Sequence, residues 1–81
     1  MSIRVLFFAS LADITGTRET SIQPASLSDI RSVFANFTAQ YPALEAHRPS
    51  MLCALNSEFA NMETPVHDGD EVAFFPPVSG G

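Results

Sequence analysis

The chain has 81 residues, 46% of them hydrophobic, and a formal net charge of −5. That length holds one domain, and the apolar content suits a packed core rather than a disordered chain. The acidic balance offers no basic patch to displace counterions from phosphates, which argues against nucleic acid as a partner. No stretch approaches the ~20 apolar residues of a membrane-spanning helix.

In chain order, residues 3–9 predict a strand. Ile3, Val5, Phe7 and Ala9 fall on one face; Arg4, Leu6 and Phe8 fall on the other. The apolar run at residues 3–12 is not read as a secretory signal, because Arg4 interrupts it and it alternates like a strand, so the cytoplasm is the expected location. Residues 10–17 read as a loop with Gly16 as its turn residue, and residues 18–23 as a weaker second strand forming a hairpin with the first. A helix follows. Ser26 is its expected N-cap, with Asp29 three residues on, and Leu27, Ile30, Val33, Phe34, Phe37 and Tyr41 make one apolar stripe. Pro42 ends it, and residues 43–50 are a connection. Residues 51–56 predict a third strand and 58–60 a short fourth. The sequence His67-Asp68-Gly69-Asp70 is a turn into a last strand at residues 71–75, with Val72 and Phe74 on one face and Ala73 and Phe75 on the other.

The order β-β-α-β-β-β gives an α+β fold of the β-grasp, or ubiquitin-like, type: a mixed sheet of four to five strands, first and last strands central, covered by one main helix. The expected boundaries are a folded domain at residues 1–76 and a flexible tail at residues 77–81. The sheet face away from the helix should be polar, yet it carries Leu6, Phe8, Ala73 and Phe75, with Phe59 expected to join them. An exposed apolar patch on a small protein marks a partner site.

No internal catalytic constellation emerges. His47 and His67 lie in predicted loops with no second ligand at metal spacing, so no metal is expected. Asp68-Gly69-Asp70-Glu71 lacks the rest of a calcium loop, and no phosphate-binding glycine loop is present. Cys53, the one cysteine, sits in an apolar run and reads as a small buried hydrophobe; a single thiol permits no internal disulfide, which fits a reducing compartment. All four basic residues are arginine, so the chain offers no lysine to receive an isopeptide-linked modifier. The chemistry is expected at the end of the chain. Pro76-Pro77 carries the backbone off the body, Gly80-Gly81 is slim enough for a narrow channel, and the group delivered is the α-carboxyl of Gly81.

The segment from Asp68 through Phe74-Phe75-Pro76-Pro77-Val78-Ser79-Gly80-Gly81 closely resembles the end of the molybdopterin synthase small-subunit family, whose members are ubiquitin-like sulfur carriers. The start, Ile3-Arg4-Val5-Leu6-Phe7-Phe8-Ala9, resembles that family's first strand, and the likeness extends through the helix and Ala54-Leu55-Asn56. The resemblance implies that a ubiquitin-activating-type adenylyltransferase uses Mg-ATP to activate Gly81, and that a sulfur donor enzyme then leaves a thiocarboxylate there (a 1-thioglycine). It implies that the large, catalytic subunit of molybdopterin synthase accepts the arm, within a heterotetramer, and that the sulfur passes to cyclic pyranopterin monophosphate to build a dithiolene. It further implies that Phe8, Phe59 and Phe75, with Pro76 and Pro77, dock on partners, that Val78 and Ser79 line a tunnel, and that Gly80 gives passage. No cofactor is expected in the fold itself, nor activity from this chain alone. The rival expectations are a carrier for thiamin or another thiolation pathway, an interaction module without chemistry at its end, and a modifier conjugated to target lysines.

Overall fold

Alternation in the first strand sorts its side chains cleanly. In the computed structural model, which describes residues 2–25 and 27–77, β1 (Ile3–Phe7) buries Ile3, Val5 and Phe7 and turns Arg4 and Leu6 outward. The remaining elements are α1 (Ser10–Thr15), β2 (Glu19–Ile22), α2 (Ile30–Gln40), a 3₁₀ segment (Pro42–Ser50), β3 (Leu52–Leu55), β4 (Glu58–Ala60) and β5 (Glu71–Phe75). The strands form one sheet in the order β2-β1-β5-β3-β4. β1 and β5 run parallel at its centre, and the other pairings are antiparallel. This is the β-grasp arrangement that the element order predicts.

The core lies between the sheet and α2. Val33, Phe34 and Phe37 of α2 meet Phe7 of β1 and Phe74 of β5 in one buried cluster with Leu44 and Leu11. Phe7 packs edge-on to Phe37 at 5.1 Å and stacks with Phe74 at 6.0 Å, while Phe34 lies 5.4 Å from Phe74. Such pairings contribute about 0.5–1.5 kcal/mol each beyond the area they bury.

Two sequence expectations need correction. The residues expected as a loop after β1 instead form the short helix α1, which buries Leu11 and Thr15. Its entry is a turn over residues 8–11, closed by a 3.1 Å hydrogen bond from the Leu11 N–H to the Phe8 carbonyl, with Ala9 at φ 53 and ψ −129. No side chain caps this helix, so the usual start signal is missing. Gly16, at φ 75, closes it.

The second correction concerns the cap of α2. Ser26 lies outside the described residues, and Asp29 caps the helix. The Asp29 carboxylate accepts from the Ser32 N–H at 2.9 Å, and the Ser32 hydroxyl oxygen accepts from the Asp29 N–H at 3.1 Å. The loop after β4 completes the end: the Ile30 and Arg31 N–H groups donate to the carbonyls of Thr64 and Met62 at 3.0 and 2.8 Å. Those donors have no partner within a helix, so a cap at Asp29 suits residues 61–66 as well as the helix. At the other end Tyr41 is the C-cap, and Pro42 directs the chain into the 3₁₀ segment.

Candidate functional site

The strand register assembles a second apolar surface on the open side of the sheet. Leu6 pairs with Ala73, Ala73 with Ala54, and Ala54 with Phe59, so one row crosses four strands. The next row brings Leu52 opposite Phe75, with Phe8 beside it. Ala73 and Ala54 are small and nearly buried, and they form a floor. The rings stand around it. Phe8 meets Phe75 edge-on at 5.8 Å, and Phe59 meets Phe75 at 5.7 Å. Phe59 is 78% exposed and Phe8 48% exposed. Phe75, expected within the exposed patch, is half-buried, because a ring flanks it on each side.

Two depressions that share Phe8 and Phe75 shape this surface. One, of about 240 Å³, is lined by Leu6, Ala54, Phe59 and Ala73 with the rings of Phe8 and Phe75, and by Ser57 and Glu71 at its polar edge. The other, of about 490 Å³, is lined by Phe8, Ala9, Phe75, Pro76 and Pro77. Along β1 and β5 the open face therefore grades toward the point where the chain leaves the sheet. The Arg4 row comes first, its guanidinium donating to Glu71 at 3.1 Å and lying 3.6 Å from Glu19. The small apolar row follows, then the aromatic row, then Pro76-Pro77. Val78, Ser79, Gly80 and Gly81 lie outside the described residues.

Sequence reasoning placed Phe8, Phe59 and Phe75 on one face, and the structure brings all three together with Pro76 and Pro77. It did not place Leu52 or Ala54 on this face, and it put Ala9 with Ile3, Val5 and Phe7, whereas β1 ends at Phe7 and Ala9 is exposed beside Phe8 and Phe75. Alternation within the third strand separates Leu52 and Ala54 from Cys53, but only the register with β5 shows which set is outward. Leu52, at 38% exposure, adds to the aromatic row.

The other candidates lie elsewhere. The Cys53 thiol points to the helix side, donates to the Ala60 carbonyl at 3.4 Å, and is pushed up in pKa by burial. A neutral, buried thiol is a poor nucleophile. His67 sits in the turn before β5 with its ring 3.9 Å from Asp70. The Asn56 amide, at 3.0 Å, and the His67 backbone N–H, at 2.8 Å, hold the Asp70 carboxyl below the usual aspartate range. Among the described residues no three His, Cys, Asp or Glu side chains converge as metal ligands would, and no helix is long and apolar enough to cross a membrane.

Known proteins share this sequence and this shape along their full length. Residues 5–81 match the ThiS family. The molybdopterin synthase sulfur carrier subunit of Escherichia coli K12 is 38% identical over 81 residues, covering 98% of this chain and 99% of that protein. The solution structure of small archaeal modifier protein 1 from Methanosarcina acetivorans superposes with a TM-score of 0.83 at 27% identity, covering 99% of this chain and 96% of that one. A chain of the complex of subunits 1 and 2 of molybdopterin-converting factor from Helicobacter pylori 26695 is 27% identical over 100% of both chains, with a TM-score of 0.68. A family match over nearly the whole chain, together with these full-length relatives, shows that the protein belongs to the ThiS family, among the molybdopterin synthase sulfur carrier subunits.

Proposed function

We propose that this protein carries sulfur on the carboxyl carbon of Gly81 and delivers it to the large subunit of molybdopterin synthase. The observation that carries the reading is the convergence of the open apolar face on the end of β5, from which Pro76-Pro77 leads toward Gly80-Gly81. A docking surface beside the origin of a thin arm lets a partner hold the body while the arm enters it. The folded body, residues 1–76, is then the handle, and residues 77–81 are the arm.

A carboxylate is a weak electrophile, since its charge is delocalised and its leaving group would be oxide. Activation is therefore the first step. On a ubiquitin-activating-type adenylyltransferase the Gly81 carboxylate oxygen attacks the α-phosphate of ATP, pyrophosphate leaves, and an acyl adenylate results. A donor enzyme supplies the sulfur, either as hydrosulfide or as a persulfide whose S–S bond a reducing thiol then cleaves; the sulfur attacks the acyl carbon and AMP departs, leaving a thiocarboxylate. Val78 and Ser79 line the tunnel of the large subunit through their backbones, and Gly80 presents no Cβ there. The thiocarboxylate sulfur attacks a side-chain carbon of cyclic pyranopterin monophosphate and displaces an oxygen substituent there; water then cleaves the resulting thioester, leaving the sulfur on the pterin and returning the Gly81 carboxylate. A dithiolene needs two sulfurs, so two loaded carriers are consumed per product. Proton transfer and substrate binding belong to the large subunit, in a heterotetramer with one carrier at each end of a large-subunit dimer. The cytoplasm suits this chemistry, because thiols stay reduced there.

Intact mass spectrometry after incubation with an adenylyltransferase, ATP and a sulfur source tests the loading step. The expected result is exchange of one oxygen for one sulfur at Gly81. Appending a residue after Gly81 should abolish transfer and leave the melting temperature unchanged. An extended chain that still transfers, without being trimmed back to Gly81, overturns the proposal. The likeness to an archaeal modifier protein favours a second reading, conjugation to target lysines. That outcome would appear as covalent adducts rather than as a thiocarboxylate.

A further inference from the structure

The methyl group of Ala9 does nothing for the folded core, yet its backbone is strained to hold it in place. Ala9 occupies the second position of the turn over residues 8–11 at φ 53 and ψ −129. This geometry selects glycine, because a Cβ crowds the neighbouring backbone at positive φ. Such strain persists where something else repays it, and it concentrates at ligand and partner sites. Core packing does not repay it here: Ala9 is exposed and lies outside the buried cluster. The other positive-φ side chains, Asn56 and Ser57, form the two-residue turn joining β3 to β4, and the Asn56 amide bonds both Asp70 and the Glu71 N–H. Ala9 has no polar group to use in that way. Its apolar neighbourhood is the groove it shares with Phe8, Phe75, Pro76 and Pro77.

We propose that Ala9 is a specificity-determining contact, its methyl forming part of the floor on which the large subunit of molybdopterin synthase closes as the arm enters. The inference rests on the carrier reading given above. The occupant follows from two observations. The groove continues into Pro76-Pro77, so whatever receives the arm passes over Ala9. A relative of this chain forms a complex with subunit 2 of molybdopterin-converting factor. Glycine at position 9 would relax the turn but leave a gap in the docking surface. Stability and docking therefore pull in opposite directions at this residue.

The variant Ala9→Gly separates them. Thermal unfolding should show a melting temperature higher by about 4 °C or more. Calorimetric titration against the large subunit should show affinity weakened about four-fold, the worth of one buried methyl group. A melting temperature that stays or falls shows that the turn is not strained, and overturns the inference. Affinity equal to that of the unchanged protein shows that the methyl touches nothing, and overturns it too. If the unchanged protein itself does not bind the large subunit, the carrier reading falls and this inference with it. If it binds, and Ala9→Gly binds equally well, only the inference about Ala9 falls.

Discussion

Aromatic rings cluster on both sides of the sheet at nearly the same spacing. On the helix side Phe7, Phe34, Phe37 and Phe74 meet at 5.1–6.0 Å; on the open side Phe8, Phe59 and Phe75 meet at 5.7 and 5.8 Å. Ring-to-ring geometry does not distinguish the two clusters. Water does. α2 and the 3₁₀ segment seal the first cluster, whereas Phe59 is 78% exposed in the second. Burial of apolar area contributes roughly 25 cal/mol per Å² only once water is excluded. The sealed cluster has already realised that free energy in folding. On the proposed carrier reading, the open one holds it in reserve for a partner.

The sharpest way to break this division is to replace one ring on each side. Phe74→Ala should cost about 3–5 kcal/mol of stability, a large part of the 5–15 kcal/mol typical of a whole domain. Urea unfolding measures it, and a cost near zero would mean that the helix side does not carry the fold. Phe75→Arg lies next in sequence and on the opposite face. Its stability cost should be about 1 kcal/mol, from lost contacts with Phe8 and Phe59. Its effect on docking should be larger, about 2 kcal/mol or more of affinity for the large subunit, since a charge would enter the centre of the apolar surface. Unchanged affinity in the folded variant would show that the partner uses another surface.

Much of this division is legible in the sequence, because alternation in β1 and β5 separates Phe7 from Phe8 and Phe74 from Phe75 without knowledge of any neighbour. What alternation cannot supply is register. The row from Leu6 through Ala73 and Ala54 to Phe59 joins residues from four strands, so Ala54 and Leu52 stay hidden until the strands are paired. The entry to α1 is hidden for a different reason: it relies on a turn with alanine where glycine is the expected signal, and on no capping side chain. The cap of α2 illustrates a third limit. Ser26 and Asp29 are both good capping residues by type. The carbonyls of Met62 and Thr64, distant in sequence, join the Asp29–Ser32 pair in completing the observed end. The diglycine ending carries the resemblance from which chemistry at Gly81 is proposed; the described residues contribute the apolar surface at the end of β5.

Cys53 provides the smallest test of the division. It is the one thiol of the chain and lies on the helix side, and a sulfur carrier invites the idea that this thiol takes part. Its place argues otherwise. Cys53 shares its register row with Phe74 and Ala60, faces the core, and is kept in its neutral form by burial. A thiolate is the reactive species, and a pKa raised above the ordinary thiol value of 9.0 leaves little of it at neutral pH. Cys53→Ala should therefore cost about 1 kcal/mol of stability through one lost buried group, and it should transfer sulfur at the rate of the unchanged protein. The measurement is single-turnover transfer from thiocarboxylated protein to the large subunit. A folded variant that loads Gly81 normally but no longer transfers would move part of the sulfur chemistry to the helix side, and the two faces would no longer divide between folding and delivery.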